Sequence, residues 1–389
     1  MQASDSLRMA ATQSVLSILS DLVRINSVNS SYEGGPGEGG VADYVKRFFE
    51  SHGIETEEQI VFPGRNNVIA RLPGSNSSRR LVLEAHMDTV SVKGMTIPPF
   101  EPTVADGKMY GRGSCDTKAG LAAMMHALAE IKASGKVPPC EVVLAAVVDE
   151  EFSFRGVVKL CEGLRADAAI VAEPTEMRVV VASKGTLRWR MIVKGRAAHS
   201  AKPHLGINAV SHMARIVLAL EKDHADLAAH GHPLLGPATC NVGVIRGGVQ
   251  VNFVPDECAI EIDRRMLPGE TAAGVLAHYQ SLLDALHAQH PDLDASMETP
   301  MLVDEALETA HDASIVTAAA RVLQDLGFDG SPAGVPFCSD ASKLSRAGIP
   351  TIIFGPGSID QAHAAVEWVP ISEVEQAAEF YRRVILGFE

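Results

Sequence analysis

The positions of hydrophobic residues along the chain predict an alternation of helices and strands. In some segments apolar side chains recur every three or four residues, which is the spacing of an amphipathic helix. Helices are predicted over 12–25, 41–52 and 119–133. Short apolar runs predict strands over 59–72, 81–85, 141–148 and 168–172. Continuous apolar runs suit strands that are covered on both faces, so the pattern indicates an α/β domain with a mostly parallel sheet flanked by helices.

The pattern changes near residue 180 and returns near residue 295. The middle part predicts strands over 179–181, 186–193, 239–245 and 257–263, and helices over 208–222 and 272–288. That order of elements indicates a small α+β domain. After it come a predicted helix, a strand and a last helix, at 311–326, 351–354 and 371–386. We therefore predict one α/β domain formed by 1–181 and 295–389, with an α+β domain inserted over 182–294.

Composition and charge restrict the class of protein. With 389 residues, 46% of them hydrophobic, the chain is long enough for two folded domains. Its net charge of −14 argues against nucleic acid as a partner. No apolar run has the length of a membrane span, and residues 1–11 lack the pattern of a signal peptide. The six scattered cysteines form no CxxC pair, so we expect reduced thiols in a cytoplasmic protein.

Polar side chains follow the predicted strands of the first domain at the points where those strands end. His86 and Asp88 come after the strand over 81–85, and Glu173 comes after the strand over 168–172. The run Asp149-Glu150-Glu151 follows the strand between them along the chain. Ligands of α/β sheets bind beyond the carboxyl ends of the strands, so these side chains mark a candidate site.

Each of these features also has a simpler explanation. His86 and Asp88 are compatible with a buried histidine beside a polar cap, and Asp116 with the N-cap of the helix that follows it. Three successive carboxylates are usually solvated surface. At the end of a buried strand, however, they form a costly concentration of like charge, which is typical of functional sites.

Taken together, the polar residues form a set of metal ligands. The two imidazoles and three carboxylates are those of His86, Asp116, Glu151, Glu173 and His363. This set suits two zinc ions that share one bridging carboxylate. Glu150 is then free to act as the general base, and Asp88 is placed to accept the second ring N–H of His86.

Five motifs in order make the chain similar to a known family. They are His86-Met87-Asp88-Thr89-Val90, Gly111-Arg112-Gly113 through Asp116-Thr117-Lys118-Ala119-Gly120, Asp149-Glu150-Glu151, Ala172-Glu173-Pro174-Thr175, and Gly355-Pro356-Gly357 through His363. The chain resembles the di-zinc amidohydrolases and exopeptidases that include acetylornithine deacetylase, succinyl-diaminopimelate desuccinylase, aminoacylase and glutamate carboxypeptidase. One departure is Phe152-Ser153-Phe154-Arg155, which stands where relatives usually have an early glycine.

The resemblance implies a role for each ligand. One metal ion would be held by His86, Asp116 and Glu173, and the other by Asp116, Glu151 and His363. Asp88 would orient His86. Glu150 would serve as general base and then as general acid.

The resemblance extends to the inserted domain, which looks like the lid and dimerisation domain of the family. It implies that His199 reaches the active site of the partner subunit and stabilises the oxyanion. It also implies that Arg265, Asn252 and the backbone near Gly357 bind the substrate carboxylate. For Arg265 the alternative is a structural salt bridge to Glu261 or Asp263.

The implied activity is zinc-dependent hydrolysis of an amide bond in an N-acyl amino acid, with cobalt as a substitute metal. We expect a homodimer that acts on a small N-acyl amino acid or short peptide, with neither nucleic acid nor membrane as a partner. The alternatives are a dipeptidase, a glutamate-type carboxypeptidase and, in another class, a non-catalytic protein that binds metal or amino acids.

Overall fold

The computed structural model describes residues 13–389. Residues 1–11, for which the sequence predicts no signal peptide, lie outside the described part. The chain divides into two compact units. Unit 1 contains the described residues up to Val181, Thr309–Ala333 and Ser339–Glu389, and unit 2 contains Ala182–Glu308 and Gly334–Cys338. The domain bounds predicted from the sequence, 1–181 with 295–389 and 182–294, stay a prediction.

The elements alternate through the chain much as the apolar pattern predicts. The α-helices of the described residues are α1 Val15–Arg24, α2 Gly39–Ser51, α3 Lys118–Ser134, α4 Arg155–Cys161, α5 Ala209–Leu227, α6 Ala272–Gln289, α7 Ser314–Asp325, α8 Ala341–Arg346 and α9 Ile371–Gly387. The strands up to the end of β9 are β1 Glu55–Phe62, β2 Arg65–Leu72, β3 Asn76–His86, β4 Thr103–Ala105, β5 Lys108–Tyr110, β6 Cys140–Val147, β7 Ala168–Val171, β8 Val180–Ser183 and β9 Gly185–Lys194. The later strands are β10 Ala198–His199, β11 Gly231–His232, β12 Gly236–Pro237, β13 Thr239–Gly247, β14 Phe253–Val254, β15 Glu257–Met266, β16 Asp294–Met297, β17 Leu302–Asp304, β18 Leu307–Glu308, β19 Ala333–Val335, β20 Thr351–Ile353 and β21 Trp368–Pro370.

Unit 1 is built around a mixed sheet whose central strands are parallel. Its strands lie in the order β1-β2-β6-β3-β7-β20-β8. The four strands β6, β3, β7 and β20 run parallel, and the strands toward the edges are antiparallel. The apolar runs of β3, β6 and β7 are buried, and α3 packs against α1 and α9. The predicted α/β class, with helices around a largely parallel sheet, is confirmed.

One local prediction for unit 1 is wrong, and two short helices have no counterpart among the predicted elements. The segment 59–72 was expected to form one strand, but Pro63 and Gly64 turn the chain, and β1 pairs antiparallel with β2. Gly64 has a φ of +75°, a conformation that glycine adopts without the strain of a side chain. The short helices α4 and α8 were also not foreseen, because six or seven residues give too few repeats of a helical pattern.

Unit 2 is an antiparallel sheet with two helices packed against it. Its sheet has the order β13-β15-β9-β16, with β17 also paired to β9. The core contains Trp189 from β9, Ile216 from α5 and Tyr279 from α6. The ring centroids of Trp189 and Tyr279 are 5.1 Å apart. The strands and helices of the predicted α+β domain are therefore present in this part of the chain.

Within residues 13–389, the helices are each too short or too polar to cross a lipid bilayer.

Candidate metal centre

The carboxyl ends of three neighbouring parallel strands bring the predicted ligands together in unit 1. His86 is the last residue of β3 and lies opposite Val147, the last residue of β6. Glu150 and Glu151 lie three and four residues after the end of β6, and Glu173 lies two residues after β7, which pairs with β3 on its other side. Because all three strands run in the same direction, the residues that follow them meet at one edge of the sheet.

Asp116 lies between the two predicted imidazole ligands. His86 Nε2 is 3.1 Å from Asp116 Oδ1, and His363 Nε2 is 3.3 Å from Asp116 Oδ2. His363 Nε2 is also 3.1 Å from Glu151 Oε2. Each oxygen of Asp116 therefore faces a different imidazole, which is the arrangement that a bridging carboxylate requires.

Two overlapping groups of side chains have the spacing of metal ligands. In His86, Asp116 and Glu151, and again in His86, Glu150 and Glu173, one ligand atom from each residue lies within 4.8 Å of the others. The second group includes Glu150, the residue predicted to be the base. Its carboxylate therefore lies beside the metal ligands, where a general base must be.

Burial and mutual repulsion set the charges of this cluster. Burial raises the pKa of Glu151 to about 7, and the nearby Asp116 carboxylate adds to that shift. Burial also raises the pKa values of Glu150 and Glu173 well above their usual range. Hydrogen bonds to Asp116 and then to Glu151 raise the pKa of His363 to about 10. The carboxylates therefore require positive charge or protons to share this edge of the sheet.

The donor set fits a pair of divalent cations. Imidazole nitrogen and carboxylate oxygen are ligands that zinc accepts, and cations would neutralise the charge that otherwise calls for protons. The residues that would hold them are His86, Asp116, Glu151, Glu173 and His363. These candidates for metal binding therefore occur together in the structure.

The structure removes two of the simpler explanations. Helix α3 begins at Lys118 after Thr117, and among residues 13–389 no side chain caps its N-terminus, so Asp116 is not an N-cap. The run from Asp149 to Glu151 is not a solvated surface either. The Asp149 side chain is 1% exposed and that of Glu151 is 7% exposed.

The sequence predicts that Asp88 orients the imidazole of His86. In the structure its carboxylate also binds the segment that carries Glu150 and Glu151. His86 Nδ1 lies 3.0 Å from the backbone carbonyl of Asp88, and the nearer carboxylate oxygen is 3.6 Å away. The carboxylate accepts hydrogen bonds from the backbone N–H groups of Glu150, at 3.1 Å, and Glu151, at 3.0 Å. The hydrogen bond to the imidazole is therefore that of the main chain, and the side chain fixes the segment that carries the two glutamates.

Sequence reasoning missed a buried polar network behind that segment. Asn29 donates one hydrogen bond to Asp88, at 2.8 Å, and another to Asp149, at 3.0 Å. Arg65 pairs with Glu38 at 2.6 Å and with Asp149 at 3.1 Å. The Gly/Ser-rich segment that begins at Asn29 predicts only a loop. Glu38 and Arg65 belong to none of the motifs that contain the predicted ligands. The one available signal was the unexplained third acid of the run, Asp149.

The sequence predicts that the backbone of Gly357 helps to bind substrate, and in the structure its polar groups contact other residues of unit 1. Its N–H donates to Glu373 at 2.8 Å, and its carbonyl accepts the N–H of Glu176 at 2.7 Å. A Cβ at this position would lie 2.5 Å from Cys115 Sγ, so glycine allows a close approach of the two segments. The polar groups of the Gly357 backbone thus have partners within the protein, and its role toward substrate stays a prediction.

The remaining predicted residues lie in unit 2. The strands β10 and β14 place His199 opposite Phe253, and the N–H of Ser200 donates to the carbonyl of Asn252 at 3.0 Å. His199 and Asn252 are therefore close together, and both are exposed. Arg265 pairs with Asp263 at 2.8 Å and donates to Thr186 at 3.0 Å. The salt bridge that the sequence left open as an alternative is thus present.

We predict that Arg65→Ala destabilises the protein by about 3–5 kcal/mol, because it leaves the buried carboxylates of Glu38 and Asp149 without their cation. Arg71→Ala, on the same strand, removes partly exposed pairs with Glu57, at 2.7 Å, and Glu141, at 3.6 Å, and should cost less than about 1 kcal/mol. Urea unfolding of both variants measures the difference. Equal losses for the two arginines would contradict the structural role of the network.

Comparisons with known proteins agree with the motifs. A sequence model of peptidase family M20/M25/M40 matches residues 82–387. An acetylornithine deacetylase of Myxococcus xanthus is 32% identical over 89% of this chain and 91% of that protein. A Staphylococcus aureus protein described as a "probable succinyl-diaminopimelate desuccinylase" is 28% identical over 91% of this chain and 92% of its own length.

The fold also matches that of a solved structure. Aminopeptidase PepT from Bacillus cereus superposes with a TM-score of 0.80 at 22% identity, over 95% of this chain and 97% of that one. At this identity the likeness shows the fold alone. The resemblance inferred from the motifs is confirmed by the sequence comparisons. The chain belongs to peptidase family M20/M25/M40, whose members are metallohydrolases that act on C–N bonds.

Proposed function

We propose that the protein is a zinc-dependent hydrolase that releases the acyl group of an N-acyl amino acid, in the manner of an acetylornithine deacetylase or a succinyl-diaminopimelate desuccinylase. The observation that carries this proposal is the position of Glu150. Its carboxylate lies within 4.8 Å of the ligand atoms of His86 and Glu173. A carboxylate at this distance from metal ligands is placed to exchange a proton with a water that attacks an amide.

The bound cations would polarise the amide carbonyl and lower the pKa of the attacking water. In our proposal Glu150 takes a proton from that water as its oxygen bonds to the carbonyl carbon. Glu150 then returns the proton to the amide nitrogen as the C–N bond breaks, which leaves a carboxylic acid and a free amine. The second proton of the water stays on the acid until the amine or the solvent takes it, so that a carboxylate is the final product. Asp88 keeps Glu150 in place through the backbone N–H group.

The proposed roles of the unit 2 residues concern orientation. His199 Nδ1 accepts the N–H of Ala201 at 3.1 Å, so a neutral ring carries its proton on Nε2. That N–H is the donor we propose for the oxyanion, supplied from the partner subunit. Arg265 and Asn252 are proposed to bind the substrate carboxylate, and Arg265 would do so while it remains paired with Asp263.

Homodimer formation through unit 2 is part of the proposal. Strand β13 is at the edge of its sheet, and an edge strand can pair with a strand of another chain. Exposed apolar side chains stand on β13 and on α5, among them Ile245, 57% exposed, and Leu218, 64% exposed. Exposed apolar residues beside a free strand edge favour burial against a second copy of the chain. A cytoplasmic location stays a prediction from the sequence.

A substrate panel tests the proposed reaction. Chelator-treated protein should be inactive, and added zinc or cobalt should restore hydrolysis of at least one N-acetyl, N-succinyl or N-formyl amino acid. The preferred N-acyl substrate should exceed any dipeptide in kcat/KM by about tenfold or more, a difference of about 1.4 kcal/mol in transition-state binding. A preference for dipeptides or glutamate-releasing substrates would instead identify a peptidase. Binding of two metal ions without turnover of any of these compounds would favour a non-catalytic protein.

We expect Glu150→Ala to lower kcat by at least about 100-fold, because the proton transfers lose their acceptor and donor. The variant should bind two metal ions nearly as the wild type does, since all five proposed ligands remain. Metal titration and a hydrolysis assay on the best substrate of the panel measure the two effects. Near wild-type activity in the variant would exclude Glu150 as the base.

We predict that the protein is a dimer in light scattering and that Leu218→Glu with Ile245→Glu converts it to a monomer. Two carboxylates would have to lose water in an apolar contact, which opposes association. Val137→Glu, at a position 64% exposed in unit 1, is the matched control and should leave the dimer intact. A monomeric wild type at micromolar concentration would contradict the proposed dimer.

A further inference from the structure

Glu367 is a buried acid that neither the motifs nor the proposed reaction uses. It is the fourth residue after His363 and is 0% exposed. Its Oε1 accepts two successive backbone N–H groups, from Cys115 at 3.0 Å and from Asp116 at 3.1 Å. Its other oxygen pairs with Arg112 Nη1 at 2.6 Å.

Arg112 connects the same two segments and a third one. The residue is 2% exposed, and its Nη2 donates to the carbonyl of Ser91 at 3.1 Å. The N–H of Gly111, its neighbour, donates to the carbonyl of Glu367 at 3.2 Å. The pair of Arg112 and Glu367 therefore joins the segment that ends in Asp116 to the segment that begins at His363.

We propose that the Arg112–Glu367 pair is a positioning pair for the metal centre, which sets Asp116 and His363 at the separation that a shared cation requires. Asp116 and His363 come from distant parts of the sequence, and their side chains lie 3.3 Å apart. The backbone of Asp116 is bonded to Glu367, while its carboxylate faces the imidazoles. A displacement of Glu367 would thus displace a ligand of both proposed ions.

The alternative is that the pair only stabilises the fold. A purely structural pair would lower the stability of metal-free protein and leave the metal affinities unchanged. A positioning pair changes the affinity for metal in protein that remains folded. Mutation of a residue that holds a metal ligand in place typically lowers metal affinity by about 10–100-fold, so the effect is measurable. The inference rests on the proposed function, because it requires the two metal ions proposed there.

The test measures zinc affinity by competition titration, and the absorption spectrum of the cobalt form, in Glu367→Gln. Glutamine keeps an oxygen for the two N–H groups but removes the charge that pairs with Arg112. We expect the weaker of the two zinc affinities to fall by about 10–100-fold and the cobalt spectrum to change. Arg112→Lys keeps the positive charge and loses the second donor to Ser91. This variant should lower zinc affinity by a smaller factor than Glu367→Gln does. It provides the test of the proposal if Glu367→Gln does not fold.

Glu141→Gln is the matched control. It breaks the pair with Arg80, at 2.6 Å, which lies near the opposite end of β3 from His86. This variant should bind both ions with wild-type affinity. Folded Glu367→Gln and Arg112→Lys proteins that keep wild-type zinc affinities would overturn the positioning role while leaving the proposed function intact. A wild type that binds fewer than two ions would overturn both.

Discussion

The crowding of carboxylates at one buried edge of the sheet is the constraint on which the rest of the site depends. Glu150, Glu151 and Glu173 follow neighbouring parallel strands, and Asp116 enters between two imidazoles. Burial, together with repulsion from the Asp116 carboxylate, raises the pKa of Glu151 to about 7. Such an arrangement persists when cations or N–H groups compensate the charge, and this fold supplies backbone N–H groups at fixed positions.

Two buried acids use the main chain in the same way. Asp88 accepts the successive N–H groups of Glu150 and Glu151, and Glu367 accepts those of Cys115 and Asp116. Each acid thereby fixes a segment that carries a proposed ligand, without touching the ligand's own carboxylate oxygens. Backbone hydrogen bonds set the position of the Cα atoms, so the side chains converge with few rotatable bonds left to order.

The sequence predicts the parts of this site that repeat a local pattern. The strands that lead to His86, Glu150 and Glu173 are visible as buried apolar runs, and their parallel order follows from the alternation with helices. Asn29, Arg65 and Glu367 could not be predicted in this way. The partners that tie them to this site lie 59 or more residues away along the chain, except for Glu38, which lies 27 residues from Arg65. Contacts of that kind depend on the tertiary fold and leave no spacing in the sequence.

The structure therefore restricts the proposed chemistry of the protein more closely than it restricts the choice of substrate. The proposed base and ligands lie at a sheet edge inside unit 1, where burial and backbone bonds restrict what each side chain does. The residues proposed to select the substrate belong to unit 2, where His199 and Asn252 are exposed and Arg265 is already paired with Asp263. Exposed side chains on loops and short strands can change their partners at little cost in folding free energy. One site of this kind can thus serve deacylases and peptidases, because the amide bond is common to both and the groups around it are not.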